Sequence, residues 1–290
     1  MAAKSIWFNG ELIPPQQAKV SVYDHGLLYG DGVFEGIRVY GGKVLKMRTH
    51  LKRLYNSADS IRLTVPYALD ELEQGIRGTV ADNPAVNNYI RLCVTRGAGT
   101  LGLHPFRCEN PNTFIIVDEI ELYPPECCRD GMAIITATRM RNHPRSMPPL
   151  TKSMNYLNNI LAKIEAIDAG VLEALMLNHE GLIGECTGDN VFIVSRGVLR
   201  TPPLRSGILE GVTRGVVLDL ARDADIQTDE TDVSLDDVYN ADEIFLTGSA
   251  AEIIPVTKVD DRFIGDGSVG TVTRQLSDAY HQFILDPPED

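Results

Sequence analysis

The chain has 290 residues, 43% of them hydrophobic and 23% charged, with a net charge of −13. That size admits one large domain or two of medium size, and the acidity argues against nucleic acid or an anionic membrane as partner. An anionic ligand must therefore be held by local positive groups, because the overall field repels it.

The first residues, Met1 to Trp7, contain no apolar segment of signal-peptide length. No apolar run reaches the roughly 18 residues that span a bilayer. Five cysteines, Cys93, Cys108, Cys127, Cys128 and Cys186, form an odd set without C-x-x-C spacing. Neither a disulfide framework nor a zinc site follows from them, and no metal is expected. A reducing cytoplasm is the simplest setting.

In chain order, Ile6-Trp7-Phe8 and Glu11-Leu12-Ile13 flank Asn9-Gly10 as a hairpin. A second hairpin pairs Val33–Tyr40 with Lys43–Met47 across Gly41-Gly42. The stretch between them, Tyr23 to Gly32, is rich in glycine, aromatic and acidic residues and reads as a loop close to a ligand. Helices are predicted over Arg48–Arg62 and Ala68–Val80, and strands near Tyr89–Arg96 and Thr113–Ile120. Pro124-Pro125 to Asp130-Gly131 breaks the pattern. The expected division is an N-terminal α/β domain over 1–121, a linker over 122–131 that holds Cys127-Cys128, and a larger C-terminal domain over 132–290.

The second half opens with a strand at Met132–Thr138. Strands are also expected at Ala174–Leu177 and Val191–Val194, around a turn-rich segment from Glu180 to Asn190. A hairpin at Arg196-Gly197 follows, then a helix from Thr213 to about Ala221. Strands near Ile226, Glu243–Leu246 and Ile254–Val259 come next, then a final helix over Gly270–Ile284. The terminal Asp286 to Asp290 reads as frayed.

Between the first two strands of that half, Pro144, Pro148 and Pro149 forbid helix up to Leu150. An amphipathic helix follows, with Leu157, Ile160, Leu161, Ile164 and Ile167 on one face. Lys152 sits at the mouth of that helix. Taken alone, it reads as a solvent-exposed lysine. Two glycine turns offer anion sites: Gly211-Val212-Thr213 at a helix start and Thr247-Gly248-Ser249-Ala250-Ala251 after a strand. Neither matches a nucleotide-binding fingerprint. A lysine, an acid in a turn and a non-nucleotide phosphate site together suggest pyridoxal 5′-phosphate. That cofactor needs an amine for its aldehyde, a carboxylate for its ring nitrogen and donors for its phosphate.

Six segments carry a resemblance. They are Tyr29-Gly30 with Val33-Phe34-Glu35-Gly36-Ile37-Arg38; His50 with Arg53-Leu54; Lys152 with Asn155-Tyr156-Leu157; Glu185 with Gly188-Asp189-Asn190-Val191-Phe192; Gly211-Val212-Thr213-Arg214; and Gly248-Ser249-Ala250-Ala251-Glu252. In this order they resemble the fold-type IV pyridoxal-phosphate aminotransferases, within them the branched-chain amino acid group, over about Ile6 to Leu276. The resemblance implies an α/β (α+β) fold in two domains, a smaller N-terminal α/β domain and a larger C-terminal pseudo-barrel that binds the cofactor.

It also implies roles. Lys152 is the catalytic Schiff-base lysine and proton shuttle. Glu185 pairs with the pyridine nitrogen, and Tyr156 with the ring hydroxyl. Arg53, the N–H groups of Val212 and Thr213, and Ser249 hold the phosphate. Tyr29, Phe34, Gly36, Tyr89, Arg91 and Ala250 shape the substrate pocket, with Arg91 receiving the distal carboxylate of glutamate. Periodicity by itself places Arg53 about 200° from Leu51, opposite the apolar stripe, where it reads as solvated. Glu185 without the resemblance is equally a loop acid in water, and Tyr29, Phe34 and Tyr89 are equally core aromatics.

The implied function is ping-pong transfer of the amino group of leucine, isoleucine or valine to 2-oxoglutarate through an aldimine on Lys152, in branched-chain amino acid biosynthesis. The implied assembly is a homodimer in the cytoplasm, with the loop near Gly99–His104 reaching the neighbour's site. The alternatives are a D-amino acid aminotransferase and an aminodeoxychorismate lyase of the same fold, with a degenerate binding protein as a third. The D-enzymes carry an Arg-x-His pair after the second long strand, and Gly97 to Pro105 lacks one. Two departures from the branched-chain pattern bear on the interdomain loop and substrate range. Glu119 to Tyr123 replaces a Pro-Trp-Gly, and Ser249 stands where threonine is frequent.

Overall fold

The computed structural model describes residues 4–84, 87–287 and 290. They fall into two compact units. The first comprises 1–120, 151–155 and 285–290, and the second 121–150 and 156–284. The short segment carrying Lys152 is thus part of the first unit, although most of the chain around it builds the second.

In the first unit, β1 (Ile6–Phe8) and β2 (Glu11–Ile13) form the Asn9-Gly10 hairpin, with both turn residues at positive φ. The loop after it contains one helical turn, α1 (His25–Tyr29). Asp24 caps it by accepting from the Gly26 N–H, and left-handed Gly30 ends it. Then come β3 (Gly32–Tyr40), β4 (Lys43–Val44), α2 (Met47–Ser60), α3 (Leu69–Asp82), β5 (Asn87–Thr95) and β6 (Asn112–Glu119). The sheet runs β2-β1-β6-β5-β3-β4, every pairing antiparallel.

Strand alternation sorts its residues. Val33, Ile37, Val39, Ile90, Leu92, Val94, Ile115 and Val117 face α2 and α3 and are almost fully buried with Leu51, Leu54, Leu72 and Ile76. Phe34, Gly36, Arg38, Tyr89 and Arg91 occupy the opposite face. The C-terminus departs from its frayed reading, because Asp290 accepts from the Arg48 and Thr49 N–H groups at the start of α2. Pro288 and Glu289 lie outside the described residues.

The second unit opens with α4 (Pro125–Asp130), a helical turn within the predicted linker that buries Cys127. It continues with β7 (Met132–Thr136), α5 (Leu157–Asp168), β8 (Ala174–Leu177), β9 (Ile183–Cys186), β10 (Asn190–Ser195), β11 (Val198–Thr201), α6 (Val212–Asp223), β12 (Thr228–Glu230), α7 (Leu235–Tyr239), β13 (Glu243–Gly248), β14 (Glu252–Val259), β15 (Arg262–Phe263) and α8 (Thr271–Leu285). The nine-stranded sheet runs β12-β11-β10-β13-β14-β7-β8-β9, with β15 on β14.

This order forces a curl. Strands β9 and β10 stand five spacings apart, about 24 Å in a flat sheet. Residues 187–189 alone connect them, a reach of at most about 15 Å. The sheet must roll until its edge strand β9 returns beside β10, and the connecting turn lies at that closure. The pseudo-barrel and the mixed α/β class expected from the sequence are therefore present.

Helix α5 presents its apolar face outward. Leu157, Ile160, Ile164 and Ile167 are 44% to 67% exposed, while Asn159, Ala162 and Ala166 are buried. Small residues bring α5 close to β8, and Asn159 enters because its amide donates to Thr187 O at 2.7 Å.

Candidate active site

Each unit gathers part of the predicted set. In the first, Lys152 is not at a helix mouth but on an extended segment laid along β3. Its N–H donates to Ser57 Oγ at 3.1 Å, and its carbonyl accepts from the Phe34 N–H at 3.0 Å. Ser153 bridges to Val33, the Met154 N–H donates to Gly32 O, and Asn155 Nδ2 donates to Gly30 O at 2.8 Å. The lysine is clamped through its backbone on both sides, so the side chain has a fixed origin. Its Nζ stands 4.7 Å from the centroid of Phe34.

Antiparallel pairing of β3 with β5 sets Gly36 opposite Arg91 and Arg38 opposite Tyr89. Cross-strand partners share a face, so Phe34, Gly36, Tyr89 and Arg91 converge. A Cβ on Gly36 would fall 1.8 Å from Tyr89 Oη, so only glycine admits the tyrosine hydroxyl here. The Arg91 guanidinium stacks 4.5 Å from the Phe34 centroid and 5.6 Å from that of Tyr89. It is half-buried and has no carboxylate partner among the described residues. A cation so placed is suited to an incoming carboxylate.

Arg53 corrects the periodicity reading. Its side chain is 11% exposed and forks onto Glu35, with Nε to Oε1 at 2.8 Å and Nη2 to Oε2 at 2.7 Å. His50 Nδ1 lies 2.7 Å from the same Oε2. Burial by itself raises the Glu35 carboxyl, but Arg53 and then His50 hold it at about 2. Burial in turn lowers His50 despite the Glu35 charge. Glu35 was not among the predicted site residues. Its signal was available, since it alternates with Val33 and Ile37 on the core side of the strand, where an acid needs a partner.

Tyr29 stands apart from the Phe34 group in its contacts. Its hydroxyl accepts from the Gly102 N–H at 3.0 Å and its ring meets His25 edge-on. It belongs with the 97–104 loop.

In the second unit β9 carries Glu185, 7% exposed, just before the turn to β10. Arg141 Nη2 pairs with Oε1 at 2.6 Å, while Asn190 Nδ2 and the Leu209 N–H each donate to Oε2 at 2.9 Å. This is a fixed, buried carboxylate, not a loop acid in water. Sequence reasoning missed Arg141, which lies in the proline loop, and Asn190.

The dipeptide Asp189-Asn190 abuts both glycine turns. A Cβ on Gly211 would come within 1.9 Å of Asn190 Oδ1, and one on Gly248 within 2.0 Å of Asp189 Oδ1. Gly211 is the N-cap of α6, so the N–H groups of Val212 and Thr213 open the helix without an intrahelical acceptor. Ser249 and Ala250 form the β13–β14 turn, whose strands pair up to Gly248 and Glu252. Glu185, the α6 N-terminus and this turn are therefore brought together. Tyr156, the N-cap of α5, joins them through Asn159 and its bond to Thr187.

Comparison with known proteins gives a consistent result. The family model for class IV amino-transferases matches residues 32–259. A Methanocaldococcus jannaschii protein, provisionally described as a branched-chain-amino-acid aminotransferase, is 46% identical over 275 residues, covering 95% of this chain and 94% of its own. The branched-chain-amino-acid aminotransferase of Escherichia coli K12 is 36% identical, covering 99% and 95%. The branched-chain amino acid aminotransferase of Thermobaculum terrenum, solved in its PLP-bound holo-form, superposes with a TM-score of 0.88 at 32% identity, covering 98% of this chain and 94% of that one.

Proposed function

The chain belongs to the class IV aminotransferases, and from that premise we propose a pyridoxal phosphate-dependent enzyme that moves the amino group of L-leucine, L-isoleucine or L-valine to 2-oxoglutarate. One observation carries the substrate reading. The Lys152 amine and Arg91, a half-buried cation with no carboxylate partner among the described residues, flank the same Phe34 ring. A branched aliphatic side chain meets the aromatic faces of Phe34 and Tyr89. The distal carboxylate of glutamate meets Arg91. One surface thus accepts both kinds of substrate in turn, as an amino-group exchange requires.

Each unit supplies groups of the kind the cofactor needs. The open N–H groups of Val212 and Thr213 at a helix start suit a phosphate dianion. Ser249 would add a hydroxyl and Arg53 a cation. Glu185, fixed by Arg141, Asn190 and the Leu209 N–H, would face the ring nitrogen, and Tyr156 the ring hydroxyl. When bound, pyridoxal phosphate supplies the aldehyde that captures the amino group and the ring that delocalises the electrons of the broken Cα–H bond. Lys152 Nζ would take that proton from the substrate Cα and deliver it to the former aldehyde carbon, C4′, within the same half of the cycle, and would carry a proton the opposite way in the other half. Its backbone clamp keeps the amine within reach through both halves. Gly36, by admitting the Tyr89 hydroxyl, would shape the substrate surface of the first unit, and Ala250 would do so in the second.

The same proposal includes a homodimer in the cytoplasm. Tyr29 is held by the 97–104 loop, where Leu101 and Leu103 are 71% and 80% exposed, and the outer face of α5 is apolar. The cysteines are free, and among the described residues no helix is long and apolar enough to cross a membrane.

The test is a half-reaction. Protein reconstituted with pyridoxal phosphate and given L-leucine without acceptor should convert its visible absorption to that of the amine form, and 2-oxoglutarate should restore it. Conversion by D-alanine and not by L-leucine would overturn the substrate assignment. Full turnover by Lys152→Ala would overturn the mechanism.

A further inference from the structure

Close to Glu185, the β9–β10 turn carries a second buried acid, one with a single shared hydrogen bond to support a charge. Asp189 is 4% exposed. Its Oδ2 lies 2.7 Å from Tyr123 Oη, and the same phenol oxygen lies 3.1 Å from Glu173 Oε2. A phenol has one proton and can donate it to one of the two.

Glu173 is well supplied with donors. The Ala174 and Thr187 N–H groups donate to its Oε1 at 2.8 and 3.0 Å, and Lys163 Nζ stands 3.2 Å from its Oε2. The Asp189 carboxyl has Tyr123 as its one hydrogen-bond partner among the described residues. Its Oδ1 presses on Gly248 instead. A buried carboxylate with a single bond is strongly disfavoured, and a second carboxylate across one phenol disfavours it further. One arrangement gives every proton an acceptor: Asp189 Oδ2–H donates to Tyr123 Oη, and Tyr123 donates to Glu173 Oε2.

The charged groups around Asp189 are Glu173 at the start of β8, Glu185 on β9, and Lys163 on α5; the Cys186 thiol on β9 also faces it. Arg141 is committed to Glu185. From the β13–β14 turn no charged side chain intervenes before Glu252, which is near His281. Two acids against one lysine favour retention of the proton. Burial first, and then the Glu173 charge, push Asp189 up to about 7.

The position makes this proton consequential. Asp189 lies directly beneath the Gly248–Ala251 turn. We propose that Asp189 is a positioning residue that stays protonated while this turn holds an anion, and that loss of its proton weakens anion binding there. The inference rests on the reading of the turn as an anion site. Linkage makes the effect reciprocal, so a bound anion raises the hold of Asp189 on its proton.

Sulfate is a suitable probe, because its charge does not change across neutral pH. Its dissociation constant is measured by calorimetry on the full chain freed of cofactor, from about pH 6 to about pH 8, for wild type and for Asp189→Asn, which mimics the protonated acid. The wild type should lose about fivefold or more in affinity across that window, and the variant should stay flat. Infrared difference spectra, wild type minus variant, should show a protonated carboxyl band that fades over the same range. Tyr123→Phe removes the bond an ionised Asp189 would accept and should move both transitions to higher pH. Parallel pH profiles in wild type and Asp189→Asn, or no carboxyl band at the acid end, would overturn the inference while leaving the anion site intact. No sulfate binding to either protein at any pH would remove the anion site itself, and the inference with it.

Discussion

Arg53 meets Glu35 edge to edge, two nitrogens on two oxygens, on the helix-covered face of β3. The pair closes a triad with His50, one turn earlier on α2. Its consequence is an acid-sensitive core. The Glu35 carboxyl sits at about 2 against an ordinary 4.5, so its ionised form is favoured by folding. That contribution is complete above about pH 4.5 and disappears as pH falls through about 2. Glu35→Gln should flatten the fall of stability across this window. At neutral pH it should cost about 3 kcal/mol, the scale for leaving one partner of a buried pair without the other. Urea unfolding at several pH values measures both, and an unchanged acid slope would contradict the assignment.

Glu35 also marks where the sequence could be read and where it could not. Strand and helix order followed from alternation and turn chemistry: the Asn9-Gly10 hairpin and the long strand β3 stand where pattern places them. The buried triad was written in the same strand, as an acid in register with Val33 and Ile37, but its partner could not be. Arg53 lies off the apolar stripe of α2, and only the fold turns it back toward β3. Periodicity found the apolar face of α5 but could not say which way it points, because the inner face is made by Ala162, Ala166 and a hydrogen-bonded Asn159. The supports of Glu185 come from three separate segments, at Arg141, Asn190 and Leu209. Such a convergence is a property of the rolled sheet and has no local trace.

That outward face of α5 leads to a direct test of assembly. Leu157, Ile160, Ile164 and Ile167 follow helical spacing, and all four are exposed. A second copy of the chain is the occupant proposed for it. Ile160→Glu with Ile164→Glu should shift sedimentation from dimer to monomer while far-ultraviolet dichroism stays unchanged, because neither side chain supports the core. A wild-type monomer, or an undisturbed dimer in the variant, would count against α5 as the contact.

Gly36 and Tyr89 make a second local test. The Tyr89 hydroxyl occupies the volume that a Cβ on Gly36 would need. Gly36→Ala should displace the ring from its place beside Arg91, costing about 1–3 kcal/mol of stability and raising KM for leucine. Removing the obstruction in a Gly36→Ala, Tyr89→Ala double variant should recover most of the stability but not the KM. Full additivity of the two stability losses would show that the residues do not compete for this space.

Arg91 offers the sharpest separation of the two substrates. Its guanidinium lies over Phe34 and near Tyr89 and has no anion among the described residues. The energy of a fully formed pair is therefore available to a ligand carboxylate. Replacing arginine by leucine keeps an apolar surface over Phe34 and removes the charge. For leucine, isoleucine and valine, whose side chains bring no second carboxylate, kcat/KM should change by less than about threefold, within the range of a volume-conserving contact. For glutamate and 2-oxoglutarate the loss should approach about a hundredfold, as expected when one partner of a shielded charge pair is missing. Arg91→Lys should recover only part of it, since a point charge cannot make the two parallel bonds of a guanidinium. Half-reaction kinetics with each amino acid separately measure these ratios. Equal losses for leucine and glutamate would place Arg91 in the support of the sheet rather than in substrate choice.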